Sequence, residues 1–157
     1  MTREDAYYER IKLLCGYWES YDEWLDSYIE SEDPLSDIVL NLIDCRGDIK
    51  EVERFLNLYC LEKPFDEESV YCRLRIELCN KYEKGRMTKE EVVSALFRFS
   101  QKIPFCDFQY CCGALSDYYD LAQNGIFDME KFDIALQKWL KNDANFSFNE
   151  IINEMKL

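Results

Sequence analysis

Apolar residues recur along this chain at intervals of three and four, which is the period of an α-helix packed on one side. Ile38, Val39 and Leu42 show the pattern in one short segment, and similar stripes follow one another to the end of the chain. Alternation at period two, which a half-buried strand would show, is absent over any useful length. The brief stretch 145–149 is the one strand candidate, and the helix-capping sequence that begins within it favours a helix. The pattern therefore predicts an all-α fold.

Capping residues divide this pattern into about eight to nine short helices. Ser, Thr or Asp at an N-cap satisfies free N–H groups of the first helical turn, and glycine ends helices by adopting a positive φ. The first expected helix covers about 4–15, and the second lies within 16–30 and begins with a capping box of Ser20 and Glu23. The third has Asp33 as its N-cap and Pro34 at its first position. The remaining helices are expected to start at the N-caps Asp48, Asp66, Thr88, Asp107, Asp128 and Ser147, with those from Asp66 and Asp107 ending at about 83 and 123. Short connections predict antiparallel neighbours in a single helical bundle over residues 1–157. In the helix from Asp48, the expected core side is Val52, Phe55, Leu56 and Tyr59.

Two segments forty residues apart resemble each other. Residues 85–96 and 125–136 each supply a glycine, an apolar residue, an N-cap, a Glu and an apolar helix face. Such an echo is typical of helical-hairpin repeats. It also follows from repeated use of the same turn and capping chemistry, and we favour this second interpretation.

The charge of the chain is strongly negative and unevenly distributed. The formal net charge is −13. Residues 1–68 contain 19 acidic and 7 basic side chains, whereas residues 69–157 contain 13 and 12. Such a field repels nucleic acid and anionic membranes and attracts a basic protein, although acidic residues also serve solubility. We see neither a secretory signal nor an apolar run long enough to cross a bilayer, so we expect a cytoplasmic protein.

The chain lacks the sequence motifs that are typical of catalytic and metal sites. Histidine is absent, which excludes histidine-based triads and metal sites, and the five glycines form no phosphate-binding loop. No calcium-loop pattern occurs, and the eight cysteines contain no Cys-x-x-Cys pair. We interpret them as buried free thiols, although the accessibility of Cys111 and Cys112 is open. We therefore expect no metal or cofactor, and no enzymatic activity.

The segment Gly16–Glu30 carries the candidate binding site. We interpret it as an amphipathic helix with a core side formed by Tyr21, Leu25, Tyr28 and Ile29. Glu19, Glu23, Asp26 and Glu30 recur at steps of four, three and four and predict one acidic stripe. The predicted partner-binding residues are Glu19, Asp22, Glu23, Asp26 and Glu30 for charge pairing, and Trp18, Trp24 and Tyr28 as aromatic anchors. A solvated acidic face without a partner is the alternative interpretation.

This acidic and aromatic segment, followed by further capped helices, resembles the N-terminal region of small, acidic, all-helical immunity proteins of bacterial toxin systems. The resemblance covers about the first third of the chain. It implies a protein that binds a cognate toxin domain tightly, blocks its active site and catalyses nothing itself. The acidic residues of the stripe would then face the basic partner.

Two other functions remain open from the residues alone. A helical-repeat adaptor or scaffold would bind its partners in a concave groove. An enzyme that relies on carboxylates or a thiol would need a cleft with converging acids and a strongly shifted pKa. The partner and the oligomeric state do not follow from the sequence.

Overall fold

The described parts of the chain are helical and contain no strand. A computed structural model describes residues 1–142 and 146–156. Across these residues the helices are α1 (Arg3–Leu14), α2 (Tyr21–Ser31), α3 (Asp37–Asp44), α4 (Ile49–Leu61), α5 (Glu67–Glu83), α6 (Lys89–Lys102), α7 (Asp107–Gln123), α8 (Met129–Leu140) and α9 (Phe148–Met155). The all-α prediction is confirmed. None of these helices combines the length and the apolar character needed to span a bilayer.

Most predicted helix starts are found where the capping residues placed them. The side chains of Asp48 and Thr88 each accept a hydrogen bond from the N–H three residues later, and the Asp128 side chain accepts one from the N–H two residues later. Asp66 accepts from the N–H of Ser69 at 3.2 Å. Each bond satisfies a donor that the first turn of a helix leaves free, which is why short polar residues at these positions predict the starts well.

In the first half, the start of α2 is confirmed in position but not in its capping box, and the start of α3 differs from the prediction. The N-cap of α2 is Ser20, as predicted, but its side chain makes no capping hydrogen bond, and its hydroxyl instead accepts from the Lys12 ammonium at 3.2 Å. Residues 16–20 lie outside the helix. The third helix begins at Asp37 and not at Pro34. There the carboxylate of Glu32 accepts from the Ser36 N–H at 3.0 Å and from its hydroxyl at 2.7 Å, so a turn around Glu32 occupies the predicted first helical turn.

The start of α7 differs by one residue. The N-cap is Cys106, whose sulfur accepts from the N–H of Gln109 at 3.5 Å. Asp107, predicted as the cap, is the first helical residue, where a carboxylate still interacts favourably with the helix dipole.

The helices group into two compact units, Met1–Cys72 and Arg73–Leu157, and the boundary falls within α5. In the first unit α1 packs on α4, and α3 packs on both α2 and α4. In the second unit α7 packs on α6, α8 and α9. Each unit has its own buried side chains, among them Ile11, Leu25, Leu42 and Leu56 in the first and Leu96, Leu115, Phe132, Leu136 and Trp139 in the second. The expectation of one domain over residues 1–157 stays a prediction.

A register of forty residues relates the helices. The N-caps of α4, α6 and α8 are residues 48, 88 and 128, and α5 and α7 begin at 67 and 107 with 17 residues each. Equivalent positions are buried alike, at 0–1% exposure: Val52, Val92 and Phe132, then Leu56, Leu96 and Leu136. A Pro-Phe pair follows both α4 and α6, at 64–65 and 104–105. Local capping explains each turn but does not require equal spacing, so the register favours an internal repeat of the sequence over capping alone.

The turn between α5 and α6 and the turn between α7 and α8 share one geometry. Gly85 and Gly125 have φ of +68° and +74°, which is the left-handed region that favours glycine. After each glycine, the next N–H donates to the carbonyl five residues earlier, at 2.8 and 2.9 Å. This is the Schellman arrangement, and it turns the chain sharply into the following N-cap.

Candidate protein-binding surface

The helix α2 presents the predicted binding residues on the surface of the first unit. Leu25 and Tyr21 are buried and attach the helix to the unit, as predicted. Tyr28 and Ile29, also assigned to the core side, are only half-buried. Because the helix begins at Tyr21, Trp18 and Glu19 belong to the preceding turn and not to a continuous helical stripe. The predicted stripe is therefore shorter than expected.

The five predicted acidic residues fall into two groups. Glu19, Glu23 and Glu30 are exposed, and within the described residues none of the three forms an ion pair. Asp22 and Asp26 instead pair with one guanidinium, that of Arg46, at 2.9 and 2.8 Å.

Arg46 follows α3, and its two ion pairs connect the end of α3 to α2. Hydrogen bonds from the guanidinium to Asp22 and Asp26 raise the pKa of Arg46 above its ordinary value. Part of the acidic charge of α2 is therefore neutralised within the chain, and the three free carboxylates remain available to a partner.

The aromatic anchors are arranged as a short ladder. The Trp24 ring lies between Tyr21 and Tyr28, with centroid distances of 5.7 and 5.2 Å. The hydroxyl of Tyr28 donates to Asp5 at 2.8 Å, which fixes the ring. Trp24 and Tyr28 are half-buried beside the exposed acids, whereas Trp18 lies outside the ladder and is half-buried in the turn. Tyrosine and tryptophan in this state suit a protein interface because a rigid apolar ring is combined with a polar tip.

An apolar groove between α3 and α4 was not predicted from the sequence. It has a volume of about 360 Å³ and is lined by Ser36, Asp37, Ile38, Asn41, Phe55, Leu58, Tyr59 and Glu62. Phe55 and Tyr59 were expected in the core and are half-buried here, and Leu58 is 48% exposed. The available signal was the pair of leucines at 58 and 61 on the otherwise polar side of α4.

Glu32 organises the connection between α2 and α3 that borders this groove. Its carboxylate accepts from the amino group of Met1 at 2.6 Å as well as from Ser36. These hydrogen bonds lower the pKa of Glu32 to about 2, with the Met1 amino group as the largest cause. Glu32 is therefore ionised at neutral pH and stabilises the turn.

The expectation of buried free thiols holds for five of the eight cysteines. All eight are free, but Cys45, Cys72 and Cys106 are only half-buried. Cys111 and Cys112 are both buried, and burial raises the pKa of the Cys111 thiol to about 12 and that of Cys60 to about 11. A protonated thiol is a poor nucleophile and a poor metal ligand. No cluster of three or more Cys, Asp or Glu side chains in the described ranges is arranged to hold a metal ion.

Comparison with known proteins gives no relative. No family model, no curated protein and no solved structure matches this chain.

Proposed function

We propose that this chain is a non-enzymatic, acidic protein-binding module, and most specifically an immunity-type or antitoxin-type inhibitor that occludes a basic partner in the cytoplasm. The observation that carries the proposal is the surface of α2. There three exposed carboxylates without an ion pair in the described residues flank half-buried aromatic rings. The surrounding residues 1–68 contain 19 acidic against 7 basic side chains.

The physical logic is that of a charged interface with an aromatic centre. A strongly negative surface accelerates the encounter with a basic partner, and aromatic side chains then supply contact area when water is excluded. Exposed charges that are not paired within the chain gain more from a partner than charges already paired. Glu19, Glu23 and Glu30 are therefore the residues we assign to pairing with Lys or Arg of a toxin domain.

The test begins with affinity capture on the full chain from its host's lysate at low and high salt. The proposal expects one basic protein, retained at low salt, that binds with one-to-one stoichiometry by calorimetry. That protein should arrest growth when expressed alone and be neutralised when this chain is co-expressed. A captured protein that shows no such arrest would remove the inhibitor proposal.

Paired charge reversals test the assigned surface. The double change Glu23→Lys and Glu30→Lys should slow association with the captured partner and reduce its dependence on salt. The matched control is Asp117→Lys with Asp120→Lys, two exposed acids one turn apart on α7. Equal slowing by both pairs would mean that only net charge matters and that α2 is not the site.

A helical-repeat scaffold is the second candidate, and the forty-residue register of α4, α6 and α8 favours it. Repeat proteins offer extended surfaces that often serve several partners. This function predicts capture of more than one protein, each insensitive to the α2 charge reversal. A single partner that is lost on that reversal would favour the inhibitor.

A further inference from the structure

We propose that the groove between α3 and α4 receives an apolar side chain from a basic, amphipathic segment of a protein partner. The inference rests on the proposed function, since it names the second part of the same interface and the chemistry of what fills it. The groove and α2 belong to the same unit, and α3 packs on both α2 and α4. The acidic helix α2 and the groove are therefore separated by one helix within the same unit, and we propose that one partner reaches both.

The groove is lined by both apolar and polar side chains, and we refer to its two exposed carboxylates, Asp37 and Glu62, as the rim. Ile38, Phe55, Leu58 and Tyr59 contribute apolar surface, and Leu58 leaves nearly half of its side chain exposed. Apolar surface of this kind is stabilised when it is removed from water. A groove of about 360 Å³ is at the small end of ligand sites and suits one or two inserted side chains better than a whole helix.

The charged side chains of the lining select the occupant. Both are carboxylates, Asp37 and Glu62, and among the described residues no Lys or Arg lines the groove. Asp37 lies on the rim and is exposed, and it forms no ion pair within the described residues. The rim carboxylate of Glu62 is paired with Arg3 at 2.9 Å and is 62% exposed. A segment that inserts a leucine or phenylalanine and places a lysine or arginine against Asp37 matches both the apolar lining and the charge.

One wall of the groove is held in place before any partner arrives. The Tyr59 hydroxyl donates to the carbonyl of Met1 at 2.7 Å, and the Arg3 guanidinium lies 4.4 Å from the centre of its ring. Arg3 also donates to the Tyr59 carbonyl at 3.1 Å. A fixed wall loses little conformational freedom on binding, which favours affinity.

A peptide titration followed by NMR tests the proposal on the full chain. The probe is a 14-residue peptide of lysine and leucine with the leucines at helical spacing, and the control peptide has the same composition in scrambled order. The helical peptide should shift the amide signals of Asp37, Asn41 and Leu58. Shifts confined to α2, or equal binding of the scrambled peptide, would overturn the proposal.

Two pairs of variants separate the groove from the general acidity of the unit. Leu58→Gln should weaken the helical peptide about fivefold, whereas Leu61→Gln, on the same helix, 73% exposed and outside the groove, should not. Asp37→Asn should weaken binding more than Asp44→Asn, since both are exposed on α3 and only Asp37 lines the groove. All four positions are exposed, so each variant should fold, which thermal unfolding checks.

The same variants distinguish the two proposals when the captured protein replaces the peptide. If Leu58→Gln and Leu61→Gln bind that protein equally, the groove assignment is wrong while the inhibitor function stands. If no basic protein is captured but the helical peptide still maps to the groove, the inhibitor function fails and the groove stands as a site for basic amphipathic segments.

Discussion

Removing Arg46 should weaken the fold slightly and strengthen capture of a basic ligand. Arg46→Gln breaks the pairs to Asp22 and Asp26, whose side chains are 71% and 51% exposed. Pairs this exposed contribute little to stability because water screens both charges, so we expect only a small fall in the free energy of unfolding. The same change leaves all five predicted acids without an internal partner and adds one negative charge to the surface.

The gain in binding follows from Coulomb's law. One additional unit charge about 8 Å from a ligand cation contributes about 0.5 kcal/mol in water. At 10 mM salt the Debye length is about 30 Å, so most of this energy remains, and association should be about twofold faster. At 0.5 M salt the difference should disappear.

Stopped-flow fluorescence with the labelled lysine–leucine peptide measures the association rate at both salt concentrations, and denaturant unfolding measures stability. Lys84→Gln is the matched control, because it makes the same change in net charge at an exposed site of the second unit. Slower association of Arg46→Gln at 10 mM salt, or the same acceleration in Lys84→Gln, would refute the electrostatic role of the α2 surface.

Three further predictions concern the stability of the fold. Thr88→Ala removes the cap of α6 and should cost about 1 kcal/mol of unfolding free energy, whereas Thr88→Ser should cost much less; equal losses in denaturant titrations would contradict the capping role. Leu96→Ala at a fully buried site should cost about 2–5 kcal/mol, and Phe97→Ala, at 54% exposure, well under half of that, as calorimetry can check. The lowered pKa of Glu32 means that its ionised carboxylate stabilises the fold above pH 4.5, and this stabilisation is lost as the pH falls through about 2. The stability difference between wild type and Glu32→Gln should therefore shrink between pH 5 and pH 2, and a constant difference would argue against it.

Local chemistry explains what could be predicted from the sequence. The start of α6 at Thr88 was predictable because a threonine followed three residues later by Glu91 satisfies the first turn without help from elsewhere. The start of α3 was not, because the turn there depends on Glu32, which a distant amino group also holds. A cap that is complete within one helical turn is thus predictable from the sequence, whereas a turn whose carboxylate is also held by a residue distant in the chain is not.

The same distinction applies to the binding surface. The exposed acids of α2 follow from helical spacing, but their division into paired and unpaired groups depends on Arg46, which is twenty residues further along. The groove requires knowing that α3 packs on α4, and no local pattern contains that information. The only sequence signal for the groove was the presence of apolar residues at 58 and 61 on the otherwise polar side of α4.

The forty-residue register has a consequence for how this chain tolerates changes of length. Excising residues 88–127 would place Asp128 directly after Met87, so the Schellman turn at Gly85 would again lead into a capping aspartate and a helix. Duplicating the same stretch would likewise restore every junction. The segment that contains α6 and α7 can therefore be removed or repeated with a capped junction at each end, whereas a change of a few residues inside a turn breaks its cap.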